Sequence, residues 1–295
     1  MRFWIPLFTL ALGVAAFATA PSKPAAEVAD RDDDVLFPQV SPWASVSQTI
    51  GTTRITLEYH RPAVRGRKIW GSLVPYGQVW RAGANDATTI RFADAVKIHG
   101  HEVKAGTYAL FMIPRLEGWT VILNRRAKQW GAFEYDPRLD VLRLEVTPRT
   151  ASNTEWLTYA LDPTSETTAY VQLFWEKVKV SFLVEVDVEA IVNARAKKLF
   201  ASHPGDWKVY SEAAEYGLQR AVPLRQALDW ADHSLKLQEN PTNLAVKARL
   251  LHEAGQLKPS QALMEKALQL ARAKKNPPAV TGPLERDLAS WKQGG

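Results

Sequence analysis

Apolar and polar residues alternate along short stretches of the chain between about residues 40 and 187. Ile55, Leu57 and Tyr59 are separated by polar or charged residues, and the same period of two runs from Val178 to Val186. Because successive side chains of a strand point to opposite faces, this pattern predicts strands with one buried and one solvated face. Comparable stretches cover residues 88–92, 106–114, 119–124, 142–146, 156–161 and 169–176. About eight or nine short strands predict an antiparallel β-sandwich or jelly-roll-like domain.

The period changes at Val188. Ala, Leu, Lys, Glu and Gln then dominate, and apolar residues recur at helical spacing. The predicted helices cover residues 188–201, 206–220, 223–238, 242–255, 259–274 and 283–292. Prolines punctuate them near helix starts, where proline is tolerated, although Pro223 could instead bend one longer helix. The chain is therefore predicted to be an α+β multidomain protein, with a β-sandwich over residues 40–187 and an all-α domain over 188–295.

The helical part contains an internal repeat. The segments 234–237 (Ser-Leu-Lys-Leu) and 267–270 (Ala-Leu-Gln-Leu) lie 33 residues apart, with a helix ending at Gly255 and a turn between them. This spacing resembles the tetratricopeptide repeat, whose unit is a helix–turn–helix. The resemblance implies a surface for a protein partner, and a plain helical bundle is the alternative.

The N-terminus predicts export. Arg2 is followed by an uncharged apolar stretch over residues 3–17 and by the small residues Ala18 and Ala20. This order is typical of a signal peptide cut after Ala18 or Ala20, and an uncleaved anchor is the alternative. We expect a signal peptide over residues 1–20, a flexible linker over 21–39 and a periplasmic or secreted protein. After signal removal, no segment is long and apolar enough to predict a membrane span.

Composition excludes several classes of function. The 295 residues include no cysteine, which excludes a disulfide scaffold, a thiolate metal site, an iron–sulfur cluster and a cysteine nucleophile. The formal net charge of +6 is a mild excess without a dense basic stripe, so we expect no nucleic-acid partner.

The segment 59–89 concentrates polar chemistry among glycines and alanines. We predict that Arg67, Arg81, Asn85 and Thr88 converge with Trp80 as a wall, and that they bind a small polar ligand or glycan. Two arginine forks, an amide and an indole face suit carboxylates, phosphates and sugar hydroxyls. The alternative is a structural network in which these side chains hold irregular loop backbone.

The same segment is similar to the bacterial exported family called domain of unknown function 2911. The resemblance covers about Ser41 to Val186, and it implies an exported β-rich domain, often with a helical-repeat tail, that has no established activity. It rests on Ser41–Ser45, Tyr59, Arg61–Pro62, Gly66–Arg67, Gly71, Pro75–Gly77, Trp80–Asn85, Ala87–Thr89, Ala105–Tyr108, Trp119–Thr120, Trp130–Gly131 and Trp175–Lys177.

Other candidate chemistry is weaker. His99 and His101 flank Gly100, which predicts a hairpin turn with two exposed imidazoles rather than a metal site. The segment 130–136 is aromatic and acidic, which suits either a sugar platform or a loop packed on a sandwich edge. The candidate carboxylates for glycoside hydrolysis are Glu58, Asp86, Glu134, Asp136 and Asp140, and no spacing selects a pair.

Two hypotheses of function remain. The first is a cell-envelope binding or scaffold protein without catalysis, cofactor or metal. The alternative is a hydrolase of an envelope or extracellular substrate that uses carboxylates in the sandwich cleft.

Overall fold

The computed structural model describes residues 37–219 and 222–293. The chain divides into the unit Met1–Gln39 and the compact unit Val40–Gly295. The predicted signal peptide and nearly all of the predicted linker lie outside the described residues. Among the described residues, no helix has the length and apolar character needed to cross a membrane.

The first sheet has six antiparallel strands. Its spatial order is β1-β2-β3-β6-β7-β8. The strands are β1 (Trp43–Ile50), β2 (Thr53–His60), β3 (Thr89–Phe92), β6 (Gly106–Ile113), β7 (Trp119–Asn124) and β8 (Asp140–Val146). Ile55, Leu57 and Tyr59 of β2 are buried, as their alternation predicts. A hairpin joins β6 to β7, with Leu110 opposite Leu123.

The second sheet has four antiparallel strands in the order β5-β4-β10-β9. They are β4 (Val96–Ile98), β5 (His101–Val103), β9 (Arg149–Pro163) and β10 (Thr168–Glu185). Apolar side chains from both sheets form one buried core between them, including Leu110, Val121, Leu173 and Phe182. The antiparallel β-sandwich is therefore confirmed.

One long strand replaces two predicted ones. We predicted separate strands over 169–176 and 178–186, whereas β10 runs without a turn from Thr168 to Glu185. The alternation of apolar and polar residues breaks near Glu176, where the register of β10 against β9 shifts on both sides of that residue. Glu176 also has a left-handed φ of 53°. A β-bulge adds a residue to a strand without ending it, and neither glycine nor proline stands here to make a turn.

Six helices follow in the described residues. They are α1 (Val188–Ser202), α2 (Trp207–Glu215), α3 (Leu224–Leu237), α4 (Pro241–Glu253), α5 (Leu257–Ala273) and α6 (Pro278–Gln293). A 3₁₀ helix, Tyr216–Gln219, follows α2, and Pro223 stands at the N-cap of α3, so α2 and α3 are separate helices. The predicted start of the last helix at Pro283 is wrong. The helix begins at Pro278, because proline is tolerated in the first turn of a helix.

Helix α4 lies between two apolar clusters. Val246 and Leu250 pack with α2 and α3, whereas Leu244 and Ala248 pack with α5 and α6. The repeat-related residues Ser234 and Ala267 are both fully buried. Stacked helices of this kind are consistent with a helical repeat, and the tetratricopeptide assignment stays a prediction.

Gly217 is where the backbone of the 3₁₀ helix approaches α3. A Cβ atom added there would lie 2.2 Å from the Cβ of Ala227, whereas one added at Gly205 would meet no atom within 4 Å. We expect Gly217→Ala to destabilise the protein by about 1–3 kcal/mol through overpacking. Thermal unfolding should show a loss of several degrees for Gly217→Ala and little change for Gly205→Ala; equal melting temperatures would contradict this packing.

Candidate functional site

The loop 81–87 is an excursion from the first sheet. Trp80 exchanges two backbone hydrogen bonds with Met112 of β6, at 2.8 and 2.9 Å, and the carbonyl of Thr88 accepts from Leu110 at 2.7 Å. The chain is therefore hydrogen-bonded to β6 at Trp80, moves away from that strand over residues 81–87, and is hydrogen-bonded to it again at Thr88. Both ends of the loop are fixed on the same buried strand, which limits where its side chains can lie.

Two buried hydroxyls hold the start of this loop. The carbonyl of Ala82 accepts hydrogen bonds from Thr88 Oγ1 at 3.0 Å and from Tyr159 Oη at 2.8 Å. Ala82 adopts a left-handed φ of 52°, a conformation that costs energy for a residue with a Cβ. Burial raises the pKa of Tyr159 well above its usual value, so this phenol remains a donor. The predicted site residue Thr88 thus serves the loop backbone.

Trp80 belongs to a cluster of four tryptophans. Its ring is stacked on Trp175 with centroids 5.9 Å apart, and it meets Trp70 and Trp119 edge to face at 5.7 and 6.4 Å. Its Nε1 donates to the carbonyl of Gly83 at 3.1 Å. Trp80 is therefore a partly buried wall between the sheets and the loop.

Arg67 and Asn85 also bond to backbone. Arg67 Nε donates to the carbonyl of Val64 at 3.1 Å and its Nη2 donates to the carbonyl of Ala63. Asn85 Nδ2 donates to the carbonyl of Ser41 at 3.4 Å. In the described residues, no hydrogen bond joins Arg67 to Arg81, Asn85 or Thr88. These contacts favour a structural role for Arg67.

Arg81 differs from all of these. Its Nε is buried and has no hydrogen-bond partner among the described residues, and no carboxylate there forms an ion pair with its guanidinium. Desolvation by burial lowers the pKa of Arg81. A half-buried cation without a counterion is unfavourable, so this position is suited to an anionic ligand.

The segment 129–133 lies against Arg81. Gly131 N donates to the carbonyl of Asn85 at 3.0 Å, and Trp130 forms an isolated β-bridge with Asp86. A Cβ atom added at Gly131 would lie 3.4 Å from Arg81 Nη1 and 3.0 Å from the ring of Phe133. We call Arg81, Asn85, Trp130, Gly131 and Phe133 the Arg81 patch.

Two aromatic side chains of the Arg81 patch face solvent. The exposed fraction is 60% for Trp130 and 84% for Phe133. Neighbouring Gln129 is buried, and its Oε1 has no hydrogen-bond partner in the described residues. The patch thus combines a cation with apolar ring faces, whereas the unpaired Gln129 acceptor is buried beside it. The sequence pattern did not connect residues 130–136 with Arg81. The available signal was the pair of small residues between Trp130 and Phe133, which allows another segment to approach closely.

A polar network supports this segment from behind. Tyr135 Oη donates to Asp140 Oδ2 at 2.7 Å, and Arg143 Nη1 donates to the same oxygen at 2.8 Å. Burial and the bond to Asp140 raise the pKa of Tyr135 to about 12. The Tyr135 ring also packs edge to face on Phe111, with centroids 5.2 Å apart. The network fixes the segment that carries Trp130 and Phe133.

The candidate carboxylates are largely occupied by arginines. Glu134 pairs with Arg126 at 3.3 Å, and Asp140 pairs with Arg143 at 2.8 Å. Hydrogen bonds from Arg138 lower the pKa of Asp136 to about 2, which is unsuited to a general acid near neutral pH. The hydrolase hypothesis gains no support from these contacts.

The histidine turn and two cavities lie away from the Arg81 patch. His99 and His101 are exposed at the β4–β5 turn, and the described part of the chain holds no group of three His, Cys, Asp or Glu side chains that could bind a metal. Two cavities of about 580 and 530 Å³ lie around the start of α1. Neither is lined by Arg67, Trp80, Arg81, Asn85 or Thr88.

Comparison with known proteins identifies the β part of the chain. Residues 41–184 match the family model described as "Protein of unknown function (DUF2911)". No curated protein and no solved structure matches.

The contrast between two arginines gives a testable prediction. We expect Arg81→Ala to leave the melting temperature unchanged or slightly higher, because it removes a desolvated charge and breaks no hydrogen bond. Arg67→Ala should lower stability by about 1–3 kcal/mol, because it removes the donor of two loop carbonyls. Thermal denaturation of both variants measures this, and a fall of about 10 °C for Arg81→Ala would make Arg81 structural.

Proposed function

Because residues 41–184 form a domain of the DUF2911 family, whose function is unknown, we propose a function from the Arg81 patch itself. The sandwich binds an anionic glycan, with Arg81 as the contact for the acidic group. The protein acts as an exported binding protein of the cell envelope, periplasmic or secreted.

The carrying observation is the missing partner of Arg81. Several buried side-chain atoms in the described residues have no hydrogen-bond partner. Arg81 Nε is one of them, and it is part of a guanidinium, which stays charged at physiological pH. Because Nε itself is buried, a carboxylate or sulfate would accept from the accessible Nη edge of the guanidinium and supply the missing counterion. Charge-assisted bonds of this kind are about twice as strong as neutral ones.

The aromatic residues favour a sugar over a simple anion. Sugar rings have apolar faces that pack on aromatic side chains, and Trp130 and Phe133 offer such surfaces beside the guanidinium. Such ring surfaces are superfluous for an inorganic anion.

The remaining predicted site residues position the patch. Trp80 and Thr88 fix the two ends of the loop 81–87, and Asn85 ties its middle to Ser41. The backbone that carries Arg81 is thus held in place before binding, which reduces the entropy lost on binding. Export rests on the sequence pattern of residues 1–20, and binding of a protein partner by the helical region rests on the resemblance to tetratricopeptide repeats.

Titration with matched sugars tests the proposal. We expect an oligogalacturonate to bind, and neutral cellotetraose to bind at least about tenfold more weakly, because it lacks a carboxylate for Arg81. Arg81→Ala should abolish this preference, Arg81→Lys should retain part of it, and Trp130→Ala should weaken both sugars. Isothermal titration calorimetry measures the affinities. Equal binding of the anionic sugar by wild type and Arg81→Ala would overturn the proposal.

Gly131 offers a second test. Gly131→Ala places a methyl group against Arg81 Nη1 and the Phe133 ring, so we expect severalfold weaker binding of the oligogalacturonate. The matched control is Gly100→Ala, because Gly100 has a similarly positive φ of 81° and no atom within 4 Å of an added Cβ. The control should suffer the backbone strain and keep its affinity. Equal losses in both variants would mean that strain, and not crowding of the patch, causes the effect.

A further inference from the structure

A groove of about 530 Å³ runs between the β4–β5 hairpin and helix α1. Its volume lies within the usual range of small-molecule sites, about 300–1,000 Å³. We call it the α1 groove. It shares no residue with the Arg81 patch, so what it binds is independent of the proposed function.

The α1 groove is lined mainly by apolar side chains. Val96 and Val103, opposite each other in the hairpin, are buried beneath it. The exposed alanines Ala190 and Ala194 of α1 form the facing wall together with Ile191, which also packs on the sandwich core. Small side chains on the helix are what leave the space unfilled.

Basic residues gather at one end of the groove. Arg195 pairs with Asp94 at 2.7 Å, which fixes the helix against the segment before β4. Lys198 follows Arg195 by about one helical turn. Lys104 directly follows Val103, and because Val103 pairs with Val96 in the antiparallel hairpin, Lys104 lies on the side of the hairpin that leads to Asp94. In the described residues, neither lysine ammonium has a hydrogen bond or ion pair.

The acidic residues of the lining are engaged or lie further back. Asp94 is paired with Arg195, and Asp187 caps the first turn of α1 by accepting from Ala190 N at 3.0 Å. Glu102 stands opposite Lys97 in the hairpin register. The end near Lys104 and Lys198 is therefore cationic.

We propose that the α1 groove binds a free medium-chain fatty acid. The alkyl chain lies on the surface formed by Ala190, Ile191 and Ala194, and the carboxylate lies between the ammonium groups of Lys104 and Lys198. Ala190 and Lys198 are about 12 Å apart along the helix axis, which matches an extended chain of that class. An acidic peptide would need a longer groove with spaced pockets for its side chains.

Calorimetric titration with sodium decanoate below its micelle concentration tests this site in the full chain. We expect saturable binding to one site. Lys104→Gln with Lys198→Gln should weaken decanoate about threefold to tenfold, the effect of two solvent-facing ion pairs, and should leave binding of the neutral alcohol decanol unchanged. Lys197→Gln is the matched control, because Lys197 lies on the same helix, is exposed and does not line the groove.

Blocking the groove tests the chain-binding half. Ala194→Phe fills it from an exposed helix position and should abolish binding of both decanoate and decanol, with folding checked by circular dichroism. The lysine variants keep the proposal falsifiable if Ala194→Phe does not fold. Absence of decanoate binding, binding that Ala194→Phe leaves intact, or binding only to anionic vesicles or an acidic peptide would each overturn it.

Discussion

Strands β6 and β7 are buried on both faces, and much of the structure follows from that constraint. One face packs in the core between the sheets, and the other forms a second apolar cluster around Phe111 and Ile122. An antiparallel sheet with two dry faces needs a cover on its outer side. The cover is irregular chain, namely the loop 81–87 and the segment 125–139. The Arg81 patch exists because these two covering segments meet.

Irregular backbone over a buried sheet must have its polar groups paired, and the arginines of this domain show how that is done. Arg61 donates to the carbonyl of Leu157 at 2.9 Å, and Arg67 donates to the carbonyls of Ala63 and Val64. Both arginines donate to backbone carbonyls and so hold these segments in position. Arg81 has the same residue type and a similar setting but no such partner. The segment therefore contains a structural network, and Arg81 is the arginine that stands outside this network and carries the proposed binding site.

The sandwich could be predicted because its strands carry a strong period-two signal, as in β2 and the second half of β10. The starts of helices α1 to α5 were also close to those predicted, since prolines and glycines mark them, whereas the start of α6 was predicted five residues too late. The continuity of β10 was not predictable, because a bulge and a turn interrupt the alternation of apolar and polar residues in the same way. Only the register with β9 distinguishes them. The approach of Gly131 to Arg81 was equally hidden, since it depends on the pairing of Asp86 with Trp130, which lies 44 residues later in the sequence. Residue types identified the polar segment, and only three-dimensional pairing distinguished Arg81 from Arg67.

Helix α1 is held to the sandwich by side-chain contacts as well as by the chain. Only Val186 and Asp187 separate β10 from α1, Val188 lies against Gly51 of the β1–β2 turn, and Arg195 reaches Asp94. The strands and helices consequently form one compact unit rather than two bodies on a flexible tether. A chain without cysteine has no disulfide to fix such a junction. Apolar packing and one ion pair do so here, and the α1 groove is the space that this packing leaves open between the two layers.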